Sequence, residues 1–151
     1  MSTYFPSKEE GLENRKWFLV DASGIPVGRI ASQIAALLRG KHKPTFSRQT
    51  DCGDFVIVVN SDRAIFTGNK GETKIYRHHT GFPGGVKSMG AGDALRTKSD
   101  WVIKAAVKTM LPRGPLGRAM FTKLKVYKND KHDHVAQQPM VFQLKAVKKA
   151  A

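Results

Sequence analysis

Six apolar positions, Val27, Ile30, Ala31, Ile34, Leu37 and Leu38, recur at intervals of three and four residues. That repeat marks one face of an α-helix. Pro26 stands where a first-turn proline is tolerated, and Gly40 where a C-cap is wanted. Before this helix, "KWFLVDA" at 16–22 is an apolar run that fits a buried strand, and "SGIP" turns the chain. After it, "DFVIVVN" at 54–60 holds five consecutive apolar residues, four of them β-branched. Such a run is apolar on both pleat faces, which predicts a central strand with helices on both sides.

Weaker patterns follow. Residues 63–68 read as a short strand or turn, 74–79 as a short strand, and 81–92 as a glycine-rich loop. "SDWVIKAAVKTML" at 99–111 opens with Ser99 as a candidate N-cap and predicts a helix. Its expected apolar stripe is Trp101, Val102, Ala105, Ala106, Thr109 and Met110, and Pro112 stops it. "LGRAMFTKL" suggests a short helix, 123–127 an edge strand, and 140–144 a possible last strand. The order of strands and helices is that of an α/β domain with a central, mainly parallel sheet flanked by helices. Residues 1–15 are polar and read as a loose arm, leaving 16–151 as a single domain with basic loop extensions. No internal repeat or low-complexity tract interrupts it.

Composition adds a partner class. The 151 residues are 40% apolar, enough for a folded core. Their net charge is +14, from 26 basic and 12 acidic side chains. A compact chain with that excess repels itself, so a polyanionic partner is expected. The charge is lopsided: residues 1–75 carry a net +3 and residues 76–151 a net +11. The second half is therefore expected to make most of the polyanion contact. Cys52 is alone, which excludes an intrachain disulfide and fits a reducing compartment. No apolar run reaches the roughly 20 residues of a membrane span. The acidic, polar N-terminus lacks an apolar signal core, so a cytoplasmic location is expected and no membrane partner.

His78 and His79 are neighbours in a predicted strand and point to opposite faces, so they do not suit one ion. His132 and His134 flank Asp133, but structural zinc wants four ligands with thiolates among them, and one cysteine exists. No metal site is expected. No G-x-S-x-G, phosphate-binding P-loop or dinucleotide fingerprint occurs, and "SGIPVGR" is a weak match to the last. An alternative remains: a metal-dependent, nucleotide-using or nucleic-acid-cleaving α/β enzyme built on Asp21, Asp54 and Asp62. Aspartates at strand ends are more often turn or helix caps.

The basic segments point elsewhere. "GKHKPTFSR" carries Lys41, Lys43 and Arg48. "YRHHTGFPGG" places Tyr76, Arg77, His78 and His79 before a bend of Thr80, Gly81, Pro83, Gly84 and Gly85, with Lys87 beyond it. "MLPRGPLGR" sets Arg113 and Arg118 on a loop stiffened by Pro112 and Pro115. In "KLKVYKNDKHDH", Lys123, Lys125 and Tyr127 alternate with Leu124 and Val126, and Lys131, His132 and His134 follow. Glycine lets a backbone approach phosphate closely, and arginine offers a planar fork for it. Each run alone fits a solvated surface. Four together, with aromatics or histidines nearby, favour nucleic acid. The cations sit on irregular segments rather than a recognition helix, which favours structured RNA over duplex DNA.

These motifs also carry a resemblance. "YRHHTGFPGG", "MLPRGPLGR", "KLKVY" and "HDHVAQQP", in that order and spacing, closely resemble the bacterial-type large-subunit ribosomal protein thirteen family. "WFLVDASGIPVGRIASQIAALLRGKHKPTF" and "GDFVIVVNSDRAIFTGNK" are similar to its N-terminal half. The resemblance spans roughly residues 15–140. It implies a mainly parallel α/β fold and a primary ribosomal RNA binder that supports large-subunit assembly beside neighbouring large-subunit ribosomal proteins. It implies no enzyme activity and no obligatory cofactor. Arg113-Gly114 stands where the family commonly has lysine followed by glycine or asparagine, and two histidines precede Thr80 where some members have one.

Overall fold

The computed structural model describes residues 4–144; residues 1–3 of the expected arm and 145–151 of the expected domain lie outside the described residues. Along the chain come α1 (Lys8–Glu13), β1 (Trp17–Asp21), α2 (Val27–Arg39), β2 (Phe55–Val59), a 3₁₀ turn (Ser61–Arg63) and α3 (Lys70–Thr73). Then follow β3 (Ile75–His79), β4 (Val86–Gly90), α4 (Ala91–Met110), α5 (Pro115–Thr122), β5 (Leu124–Val126) and β6 (Met140–Val141). Four strands form one sheet in the order β5-β2-β1-β6, every pairing parallel. β3 and β4 form a separate antiparallel hairpin. The fold is α/β with a central parallel sheet, as the pattern of strands and helices predicts.

The helix at 27–39 forms as its periodicity dictates. All six stripe residues are buried. Gly40 adopts the left-handed cap, φ 79°, and the Gly40 and Lys41 amides donate to Leu37 and Ala36 at the end of α2. Pro26 is the N-cap itself rather than the first helical residue, and the Val27 amide donates to Ile65 O across the chain.

Topology explains how the two faces of the sheet are covered. The chain moves from β1 to β2 to β5 in one direction, and right-handed crossovers put both connections on one face. There α2, α4 and α5 pack over Phe18, Val20, Val56, Val58, Leu124 and Val126. The return from β5 to β6 runs the other way and crosses the opposite face. That face carries Trp17 stacked on Phe55 at 4.3 Å, with the His134 ring 5.1 Å from Trp17. Helices on both sides were expected from the apolar run at 54–60. Instead an irregular segment with aromatic rings covers the second face, and Ile57 is fully buried beneath it.

Three further expectations need correction. The arm is not loose: Ser7 and Glu10 form a capping box that starts α1, and Thr50 Oγ1 donates to Pro6 O. The loop expected through 92 ends early, because Val86–Gly90 pairs with β3 and α4 begins at Ala91. α4 kinks at Lys98 (φ −135°, ψ 54°), so Ser99 is no cap; its buried hydroxyl lies 2.9 Å from that of Ser61. The buried face of α4 is Ala91, Ala94, Ser99, Val102, Ile103 and Val107. Trp101, Thr109 and Met110 belong to the exposed face, and Trp101 is 42% exposed.

Candidate nucleic-acid interface

The sequence-predicted cations separate into two kinds once the chain is folded. Some serve the interior. Lys123 is the C-cap of α5, not the first residue of β5, so the expected alternation with Lys125 begins one residue too early. It is buried, donating 2.6 Å to Asp51 Oδ1 and 3.2 Å to Leu38 O. Burial pushes its ammonium below the ordinary lysine range, and the Asp51 carboxylate offsets this only in part. Arg15 Nη2 holds the other Asp51 oxygen at 3.0 Å. Lys43 donates 2.6 Å to Asp54 Oδ1 and 2.7 Å to Asn14 O. His42 Nε2 lies 2.8 Å from Asp54 Oδ2. Lys43 and Lys123 are therefore engaged in ion pairs at the N-terminal end of the sheet strands and do not stand free on the surface.

The aspartates of the enzyme alternative are placed by the same geometry. Asp54 is fully buried between Lys43 and His42. Asp21 Oδ1 accepts from the Ser23 amide and hydroxyl and from Asn60 Nδ2, tying the end of β1 to the end of β2. Burial raises its pKa, but the Asn60 and Ser23 hydrogen bonds and the Arg63 charge outweigh that and hold it below the usual value. Asp62 lines a different cleft with Arg63 and Lys131. Asp21 and Asp54 thus serve separate structural contacts, and Asp62 stands apart from both. Among the described residues, no three His, Cys, Asp or Glu side chains are arranged to hold a metal ion.

A second group of cations stands free on one surface. The β3–β4 hairpin pairs Tyr76 with Met89 and His78 with Lys87. Directly paired residues share a face, and alternation puts Arg77 and His79 on the other. A cleft of about 320 Å³ lies between hairpin and helix, lined by Tyr76, Arg77, His78, Lys87, Lys98 and Trp101 among others. Further along, the turn from α4 to α5 encloses a groove of about 640 Å³. Lys108, Arg113 and Arg118 surround it, over Leu111, Pro112 and Phe121. Trp101 and Lys108 are both exposed and seven residues apart, which places them on one face of α4 about 10 Å from each other. The cleft and the groove thus open along one strip. Among the described residues, Arg77, Lys87, Lys98, Lys108, Arg113 and Arg118 make no ion pair, and no carboxylate lines either opening.

The glycines of the hairpin bend have an internal explanation. Gly81 and Gly84 have φ of 94° and 70°, which disfavour other residues. A Cβ on Gly85 would lie 2.0 Å from Thr80 Oγ1. The Thr80 amide donates to Gly85 O, and the Gly81 amide donates to His79 Nδ1, both at 2.9 Å. The bend is folded on itself and leaves Phe82 74% exposed at its tip.

The remaining candidates lie outside the strip. Lys41 and Arg48 are exposed on the loop after α2, Arg48 beside Tyr4, Phe5 and Phe46. Lys125 is half-buried on the sheet. Lys131 shares its cleft with Asp62 and Asp130, which offset its charge. The His134 ring packs on Trp17, and the His132 ring lies 6.4 Å from that of Tyr127. Sequence reasoning missed Lys98, Trp101 and Lys108. The spacing of Trp101 and Lys108 was a usable signal, but the large apolar tryptophan was assigned to the core.

The family model for Ribosomal protein L13 matches residues 15–133. A large ribosomal subunit protein uL13 of Idiomarina loihiensis is 52% identical over 135 residues, covering 89% of this chain and 94% of the relative. Proteins of the same name from Exiguobacterium sibiricum and Clostridium kluyveri are each 50% identical over 145 residues, covering 96% of this chain and 99% of theirs.

Proposed function

The chain belongs to the ribosomal protein L13 family, and from that premise we propose that it binds large-subunit ribosomal RNA through the strip of free cations along the hairpin, α4 and the α4–α5 turn. It is a structural constituent of the large ribosomal subunit, not an enzyme. The observation that carries the RNA reading is the separation of charge within the fold. Lys43, Lys123 and Arg15 are consumed by Asp51 and Asp54 at one edge of the sheet. Arg77, Lys87, Lys98, Lys108, Arg113 and Arg118 have no acid beside them.

The mechanism is positional. A rigid sheet-and-helix core holds the two openings at a fixed spacing, and phosphates of converging RNA segments occupy them. Each neutralised phosphate releases counterions, so affinity falls steeply with salt. Lys41 and Arg48 on the loop after α2 add a second, smaller contact. Neighbouring ribosomal proteins meet the surfaces that the RNA leaves uncovered, in the cytoplasm where ribosomes assemble.

The test compares two variants of equal net charge, Arg113→Ala/Arg118→Ala and Lys8→Ala/Arg29→Ala. The first should lower the slope of log affinity against log salt on large-subunit ribosomal RNA by roughly 1.5, and the second by much less. Equal slopes in the two variants would mean that charge alone, and not this strip, governs binding.

A further inference from the structure

We propose that the cleft between the β3–β4 hairpin and α4 seats a single unstacked nucleobase of the bound RNA, with Trp101 as its stacking platform. This rests on the RNA-binding reading and goes beyond it by assigning a ligand to one cleft. Trp101 is the largest side chain of α4, yet it lies off the buried face and keeps 42% of its surface exposed. Tyr76 meets it at 5.1 Å and 78° between ring planes, and Tyr76 is itself packed on the core, with Lys74 over its ring at 4.8 Å. Trp101 thus has a ring neighbour on the hairpin side of the cleft. The cleft beside it, about 320 Å³, falls within the range of sites that take small organic molecules.

The composition of the cleft selects the occupant. Its apolar surface comes from Trp101, Tyr76 and Met89, and its cations are Lys87 and Lys98, with no carboxylate among the lining residues. A protein segment docking there would have to bury lysines, which protein interfaces avoid at their centres. A nucleotide meets both demands at once, a flat ring for the tryptophan and a phosphate for the cations. The kink at Lys98 precedes Trp101 by three residues and brings a cation to the same cleft as the ring.

The experiment uses the full chain carrying Trp17→Phe, which leaves Trp101 as the one tryptophan. It is titrated with oligoadenylate and with an abasic ribose-phosphate oligomer of equal length, and its binding to large-subunit ribosomal RNA is measured in parallel. Oligoadenylate should quench Trp101 and bind more tightly than the abasic oligomer. Trp101→Leu, which keeps an apolar side chain over Tyr76, should weaken oligoadenylate binding on the order of tenfold and leave the abasic oligomer unaffected. Equal binding of the two oligomers with unchanged Trp101 emission, while ribosomal RNA still binds, overturns the base seat and leaves the RNA reading standing. Loss of all RNA binding by the parent chain sinks both. Emission that responds to a large-subunit protein and not to RNA makes the cleft a protein contact and overturns the proposal. The quenching comparison leaves Trp101 intact, so it stands even where the leucine variant fails to fold.

Discussion

Replacing Lys123 with methionine separates a folding role from a binding role at one residue. The side chain keeps its length and loses its charge. Asp51 then loses its 2.6 Å partner, and Leu38 O its 3.2 Å donor. Removing one member of a buried ion pair costs about 3–5 kcal/mol. Two features lower that figure here. Asp51 keeps Arg15 at 3.0 Å and the Gly53 amide at 3.2 Å. Burial already disfavours the Lys123 ammonium, so its removal recovers part of a desolvation cost. A loss of about 2–3 kcal/mol follows, or about 5–10 °C in melting temperature for a chain of this length. Urea unfolding should show a lower midpoint at unchanged slope. On ribosomal RNA the variant should keep the wild-type salt dependence. A Lys123→Met protein of normal stability that binds RNA with a shallower salt slope would refute the reasoning and return Lys123 to the interface.

Two further outcomes test the frame that carries the site. Ile57→Asp puts a charge on a fully buried position between Leu19 and Lys125 in the sheet, and the chain should fail to fold as judged by circular dichroism. Asp21→Ala should cost about 0.5–1 kcal/mol at neutral pH, a figure kept small because the group is largely solvent-screened. Its folded pKa lies below the ordinary 3.8, so its stabilisation is complete above that value and is lost as pH falls through the folded pKa. The melting difference between wild type and variant should therefore close under acid.

What could be read from the chain alone divides along physical lines. The helix at 27–39 was legible because its apolar stripe and its terminal glycine agree, although Pro26 turned out to be the N-cap rather than a first-turn residue. The central strand was legible because five apolar residues in a row have one stable home. Its second face was misjudged because burial does not reveal what does the covering, and here the return crossover does so. The strand at 86–90 escaped notice for a different reason. β4 has no alternating pattern of its own and exists through its pairing with β3.

At the candidate site, the basic segments were visible as composition, and Arg113 and Arg118 meet in one groove. Charge suggests solvent for Lys43 and Lys123, whose acids, Asp54 and Asp51, are brought to them only by folding. Lys123 and Asp51 are separated by 72 residues. Trp101 was lost in the opposite sense, since size and apolarity suggest a core. In both cases tertiary contact reversed a sound local inference.

The account stands or falls on which surface faces the RNA. Cys52 is the only cysteine and is buried, so a Cys52→Ala chain accepts an iron chelate at one new site of choice. Attached at Thr109→Cys, in the α4–α5 groove, the chelate should cleave bound large-subunit ribosomal RNA strongly at a few positions. Attached at Ser32→Cys, on the exposed side of α2, it should cleave weakly. Strong cleavage from position 32 with little from position 109 would contradict the account.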